Sequence, residues 1–142
     1  MGFDFNWQVA WNIWAAVACG GAIWRGGVAR KAGLGVACAW VLSLVIHDQD
    51  WPNGFWMLFG VDLVVTLWLV VLTRSCTAPW LIFSAACGLL MVVNYTAYAL
   101  FASIDIWAFF SASYIWNSGL VAGLLWGALT RTGYRAPSSA RL

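Results

Sequence analysis

The chain has 142 residues, of which 63% are hydrophobic and only 8% are charged, and its net charge is +2 at pH 7. Soluble domains carry about 25% charged residues, and a water-soluble domain of this size could not bury so much apolar surface. The composition therefore excludes a soluble domain and predicts an integral membrane protein with one domain. The small net charge gives no reason to expect a nucleic-acid partner.

A membrane-spanning helix needs roughly 20 mostly apolar residues. The sequence contains five such segments, so the predicted fold is an all-α, polytopic bundle of about five transmembrane helices. The second segment is short, and whether it fully spans or is partly re-entrant stays open. The bundle is predicted over residues 1–129, a polar basic tail follows at 130–142, and the spans are 5–24, 32–46, 55–73, 80–102 and 106–129.

The connections between these segments carry typical turn and cap residues. A glycine-rich basic turn is predicted at residues 25–31 and a polar loop at 47–54. Pro79 suits the first turn of the fourth helix, where its missing N–H costs nothing. Asp105 is predicted to cap the fifth helix through its side chain.

The charged residues indicate an orientation. With five spans, all seven basic residues fall on one side of the membrane, and the positive-inside rule assigns that side to the cytoplasm. We therefore predict an amino terminus outside, a cytoplasmic carboxyl terminus, and a location in a bacterial inner membrane. The basic residues are Arg25, Arg30, Lys31, Arg74, Arg131, Arg135 and Arg141, and the acids on the other side are Asp4, Asp48, Asp50 and Asp105.

Asp62 is the one acid inside an apolar segment. A charge there costs from about 3 to more than about 10 kcal/mol, depending on the scale. Counted from Phe55 at about 1.5 Å per residue, Asp62 lies roughly 10 Å below the outer boundary. Other helices carry polar side chains at similar depth, so we predict an intramembrane polar site with Asp62 at its centre and Asn12, Asn94, Tyr98 and Asn117 around it.

This site has two interpretations. In the first, Asp62 is the titratable group of a proton or cation path that opens outward, because intramembrane acids often mark such paths. In the second, a protonated Asp62 bonds to Asn94 or to a tyrosine and only holds the helices together, as interhelical hydrogen bonds do. The sequence leaves both open.

Glycine recurs at every fourth position of the fifth helix, at Gly119, Gly123 and Gly127. Such a stripe lets a neighbouring helix approach closely, which is the usual packing route for small residues in bilayers. The partner is predicted to be either another helix of the same chain or a second copy of the protein. The tryptophans that lie deep in their segments, including Trp40, are expected to pack the bundle, with a ligand-lining role as the alternative.

No catalytic or metal-binding motif is recognisable. The chain lacks a phosphate-binding loop, a nucleophile elbow and an HExxH motif, so we expect no enzyme activity and no cofactor. The cysteines show no metal spacing. His47, Asp48 and Asp50 could bind a metal, but nothing supplies a fixed fourth ligand, so a solvated loop is the better interpretation.

Two classes of function follow. The first is a non-enzymatic membrane-assembly protein, either a holin-like lesion former or an accessory subunit, which the small size, the short loops, the glycine stripe and the basic tail favour. Its partners would be the lipid bilayer and either further copies of itself or a larger membrane complex. The alternative is a small proton- or cation-coupled transporter or channel centred on Asp62.

Overall fold

The structure is a computed structural model that describes residues 5–46, 53–101 and 103–130. The polar loop with His47, Asp48 and Asp50, the acidic residue Asp4 and the basic tail beyond residue 130 lie outside the described residues. Five helices make up the described part of the chain: α1 (Phe5–Arg25), α2 (Gly27–Ile46), α3 (Asn53–Ser75), α4 (Pro79–Leu100) and α5 (Ile106–Leu129).

Four helices, α2 to α5, are long and apolar enough to cross a membrane. The helical fold is therefore that of an integral membrane protein. α1 has 21 residues, enough for a span, but its first half carries Asn6, Gln8 and Asn12. The large apolar side chains exposed on the outside of the bundle, such as Val17, Val64 and Val93, are the surface that lipid would cover.

The turn between α1 and α2 is shorter than the sequence predicts. Gly26 and Gly27 adopt positive φ angles of 82° and 58°, which glycine reaches without steric cost. These two residues reverse the chain, and α2 begins at Gly27 rather than at the predicted Ala32. The prediction of a turn over residues 25–31 was wrong, because Arg30 and Lys31 belong to the helix. α2 thus has 20 residues, the length of a span.

The starts of α4 and α5 agree with the predicted capping. Pro79 occupies the first turn of α4. The Asp105 carboxylate accepts a hydrogen bond of 3.2 Å from the backbone N–H of Trp107, which satisfies one of the free amides at the start of α5. α4 ends at Leu100, two residues before the predicted boundary.

The helices form a closed ring. Each helix packs against the next in sequence, and α1 also packs against α5, which closes the ring. The guanidinium of Arg25 donates a hydrogen bond of 3.0 Å to the carbonyl of Thr130 and joins the two helices where both end. We call this end of the bundle, where Arg25, Arg30, Lys31 and Arg74 lie, the basic end.

The half of the bundle nearer the basic end is a closed core. Small residues on α1 and α2, including Ala18, Ala22 and Ala32, are fully buried there, so these helices approach closely. Larger side chains, such as Leu69 of α3 and Leu124 of α5, belong to the same buried cluster. The opposite half, toward Asp105, is less completely filled.

Candidate functional site

A cavity of about 360 Å³ lies in the half of the bundle away from the basic end, and side chains of all five helices line it. Its floor consists of core residues, among them Cys19, Val65 and Leu120. Ligand pockets in proteins typically measure about 300–1,000 Å³ and combine apolar walls with a few convergent polar groups. The polar lining of this cavity comes from Asn12, Ser43, Asp62, Tyr95, Ser113, Tyr114 and Asn117.

Asp62 is the acid of the cavity. It lies on the face of α3 that packs against α4, because Phe55, Phe59 and Asp62 recur at helical spacing and all meet Tyr95. The ring centroids of Phe55 and Phe59 lie 5.3 and 5.7 Å from that of Tyr95. A side-chain hydrogen bond joins the Tyr95 hydroxyl to the Asp62 carboxyl. Tyr95 itself is buried.

Asn94 has a different role from the one that the sequence suggests. Its side-chain N–H₂ donates to the carbonyl of Phe109 at 3.1 Å and to the hydroxyl of Ser113 at 3.0 Å. Both acceptors belong to α5. Adjacent residues of a helix point about 100° apart, so Asn94 faces α5 while Tyr95 faces α3. Asn94 therefore joins α4 to α5, and it does not line the cavity.

Tyr98 also lies outside the cavity lining. Its ring centroid is 4.6 Å from that of Phe109 and 5.7 Å from that of Phe55. Together with Phe59 and Tyr95, these rings form an aromatic cluster between α3, α4 and α5. We refer to Phe55, Phe59, Tyr95, Tyr98 and Phe109 as the aromatic cluster. It packs the bundle between Asp62 and the end at which Asp105 lies.

Asn12 and Asn117 do line the cavity, from α1 and α5. Neither side chain makes a hydrogen bond to any residue in the described part of the chain. By contrast, the hydroxyls of Ser43 and Ser113 donate to the carbonyls of Ala39 and Phe109 on their own helices. Of the predicted site residues, the structure thus brings Asp62, Asn12 and Asn117 around one cavity and places Asn94 and Tyr98 elsewhere.

Two tryptophans line the cavity, Trp11 from α1 and Trp40 from α2. Trp40 was expected to be a packing residue, and depth alone could not distinguish it from Trp68. Trp68 packs against Gly35, and its indole N–H donates to the carbonyl of Lys31 at 3.2 Å.

Tyr95 lines the cavity but was not among the predicted site residues. The sequence did contain an indication of its role, because Tyr95 adjoins Asn94 at the depth of Asp62.

The glycine stripe of α5 packs against α4 of the same chain. A Cβ atom built on Gly119 would lie 2.7 Å from the sulfur of Cys87, and one on Gly127 would lie 2.5 Å from the ring of Trp80. A Cβ on Gly123 would overlap the hydroxyl of Ser84. Because α4 covers this face of α5, another helix has no room to pack against the glycine stripe there.

Within the described ranges, no three His, Cys, Asp or Glu side chains come together as a metal site. The polar groups that line the cavity are one carboxyl, two amides, two serine hydroxyls and two tyrosine hydroxyls, beside an aromatic wall. A scan against protein-family models, a search of curated proteins and a search of solved structures found no match to this chain.

Proposed function

We propose that this protein is a small, non-enzymatic proton- or cation-coupled membrane transporter or channel in which Asp62 is the binding group. The observation that carries the proposal is the place of this carboxyl, in a cavity that all five helices line. No Lys, Arg or His lines that cavity among the residues that the structure describes. Asp62 therefore has no basic side chain to neutralise it there.

An acid in this position has two ways to avoid the energetic penalty of a bare charge. It can carry a proton, or it can pair with a cation. The Tyr95 hydroxyl fixes the orientation of the carboxyl. The unbonded amides of Asn12 and Asn117 supply further oxygen ligands from the other side of the ring. These groups suit alternating occupancy by a proton and a cation better than a role in packing alone.

The proposed arrangement in the membrane has five spans. α1 counts as a span because it belongs to the ring and buries Ala18 and Ala22 against its neighbours. The basic end then faces the cytoplasm of a bacterial inner membrane, in keeping with the positive-inside rule. The cavity lies in the outer half and receives its ligand from outside.

Proton flux into reconstituted vesicles tests this function. The purified protein is inserted into vesicles that contain a pH-sensitive dye, and a potassium gradient with valinomycin supplies the driving force. We expect wild-type vesicles to acidify faster than protein-free vesicles, alone or on addition of an external cation. Asp62→Asn should reduce the rate to that of protein-free vesicles. Asp105→Asn is the matched control, because it removes a carboxylate that lies outside the cavity and keeps a residue that can cap α5.

Equal flux through wild type and Asp62→Asn would exclude Asp62 as the coupling group. Asp62 would also be excluded as the coupling group, and the transport function with it, if no flux above that of protein-free vesicles were found with protons, with alkali cations or with organic cations.

An assembly role, as a holin-like lesion former or an accessory subunit, is the second candidate. The short connections favour it: Gly26 alone separates α1 from α2, and three residues separate α3 from α4. The glycine stripe supports it less, because α4 covers that face. Self-association would need another surface. Release of a large trapped dye by the wild-type protein, together with an oligomer in gentle detergent, would favour a lesion former over a transporter.

A further inference from the structure

The walls of the Asp62 cavity suggest what kind of cation it takes. At about 360 Å³, the cavity has far more room than a single dehydrated metal ion needs, since one water molecule takes up about 30 Å³ in the liquid. Hard metal ions also prefer six or more oxygen ligands at short range. The cavity instead pairs its one carboxyl with a mainly apolar and aromatic lining.

The aromatic residues are well placed for an organic cation. Trp11 and Trp40 come from α1 and α2, and Phe110 and Tyr114 come from α5, while Asp62 lies on α3. Because α1 and α3 are not neighbours in the ring, Trp11 lines the cavity on a different side from Asp62. Tryptophan is the aromatic side chain that attracts cations best, and quaternary ammonium groups are the ligands that such aromatic walls recognise.

We propose that the cavity binds a small organic cation, a protonated amine or a quaternary ammonium compound, with its nitrogen at Asp62 and its apolar groups against Trp11 and Trp40. This inference rests on the proposed function and names the substrate class of the same site. Asp62 pairs with the charged nitrogen, and the tryptophans provide apolar contact and cation–π attraction to the alkyl groups next to the nitrogen, which carry part of its positive charge. The amides of Asn12 and Asn117 can accept hydrogen bonds from a protonated amine.

Paired probes of the same shape separate the effect of charge from that of shape. Phenyltrimethylammonium and tert-butylbenzene differ by the replacement of nitrogen by carbon, so only the first is a cation. Binding of each probe is measured by titration calorimetry on the full-length protein in lipid nanodiscs, with empty nanodiscs to subtract partition into lipid. We expect saturable binding of phenyltrimethylammonium and only lipid partition of tert-butylbenzene.

Four variants locate the binding. Asp62→Asn should abolish binding of the cation, whereas Asp62→Glu keeps the carboxyl and should retain it. Trp11→Leu and Trp40→Leu should each weaken binding by about 5- to 30-fold, the factor that corresponds to about 1–2 kcal/mol, which lies between the values for exposed and for desolvated cation–π contacts. Trp107→Leu is the matched control, because Trp107 is exposed and does not line the cavity.

Each outcome decides between the proposals. Undiminished binding to Asp62→Asn, or equal saturable binding of tert-butylbenzene, would overturn the organic-cation inference. If phenyltrimethylammonium does not bind but Asp62-dependent flux of protons or alkali cations persists in vesicles, this inference fails and the proposed function stands. If both measurements fail, the proposed function fails as well. Loss of binding in Trp107→Leu equal to that in Trp40→Leu would also count against the site.

Discussion

At the scale of single residues, the Asp62–Tyr95 pair connects the packing of the bundle with the proposed site. The ring of Tyr95 packs in the aromatic cluster, and its hydroxyl lines the cavity and is bonded to Asp62. A hydrogen bond between helices in a bilayer contributes only modestly, on average about 0.6 kcal/mol and at most about 1.7 in the best-studied case. Under the proposed function, a bond of this strength holds Asp62 in position and still releases it when a ligand competes for the carboxyl.

Tyr95→Phe tests this bond. The change keeps the ring in the aromatic cluster and removes only the hydroxyl. We expect the free energy of unfolding in sodium dodecyl sulfate to fall by about 0.6 to 1.7 kcal/mol. Tyr114→Phe is the control, since Tyr114 also lines the cavity but is exposed and makes no hydrogen bond through its hydroxyl in the described residues. Equal losses in both variants, or an undiminished effect in an Asp62→Leu background, which lacks the acceptor, would show that the bond does not contribute.

Sequence reasoning addressed the depth of this site but not the rotation of its helices. Counting residues from the helix ends assigned polar groups of several helices a depth similar to that of Asp62, and Asn12 and Asn117 line one cavity with Asp62. It could not decide between Asn94 and Tyr95, because one residue turns the side chain by about 100° and the packing of the neighbouring helix sets the rotation. The same limit explains why Trp40 could not be separated from Trp68.

At the scale of helices, the α4–α5 interface is the most extensive contact among the described helices. Ser84 is fully buried there, and its hydroxyl donates to the carbonyl of Trp80 at 2.9 Å. Gly123 lies directly against that hydroxyl. Since Ser84 cannot turn away without losing its hydrogen bond, an added methyl group must push the helices apart.

Gly123→Ala should therefore destabilise the protein by about 1 to 3 kcal/mol, the usual range for overpacking a filled interface. The measurement is again unfolding in sodium dodecyl sulfate. Gly60→Ala is a matched control, because a Cβ built on Gly60 of α3 meets no atom within 4 Å. That variant should keep or slightly raise the stability, as alanine favours helix over glycine.

A double substitution identifies the cause of the loss. Ser84→Ala removes the hydroxyl that the new methyl group meets, so the pair Ser84→Ala with Gly123→Ala should cost less than the sum of the two single changes. Additive losses, or a loss in Gly60→Ala as large as that in Gly123→Ala, would contradict close packing of α5 on α4.

The sequence predicts the starts of α4 and α5 but not the start of α2. Pro79 and the side chain of Asp105 each act within the first turn of a helix, so the starts of α4 and α5 could be predicted from the local sequence. The start of α2 could not, because a pair of glycines with positive φ can turn the chain in two residues or form part of a longer loop. Composition does not distinguish these cases.

At the scale of the whole molecule, the ring of five helices follows from contacts that sequence patterns do not encode. Helices that are apolar on all sides are not divided into a polar and an apolar face, so their hydrophobic pattern does not indicate which face meets which neighbour. The contact between α1 and α5 joins segments about 100 residues apart, as the bond from Arg25 to Thr130 illustrates. The membrane class and the number of helices were therefore predictable, but the ring closure and the cavity inside it were not.

The orientation of this ring in the membrane is the last prediction, and cysteine labelling tests it. One variant keeps Cys76 and replaces Cys19, Cys38 and Cys87 by alanine. A second variant lacks all four native cysteines and carries Ser103→Cys, at an exposed position between α4 and α5. With an impermeant maleimide on intact cells, we expect labelling of the second variant only, and labelling of both after the cells are permeabilised.

The position of α1 is tested in the same cells with an epitope tag at the amino terminus. If α1 spans, an antibody reaches the tag from outside, on the face opposite to Cys76, because three crossings, α1, α2 and α3, separate the tag from Cys76. If α1 stays on the cytoplasmic side, the tag and Cys76 become accessible together only after permeabilisation, and the ring of four spans would be completed by a helix that does not cross. Labelling of Cys76 in intact cells would reverse the orientation, and the Asp62 cavity would then face the cytoplasm.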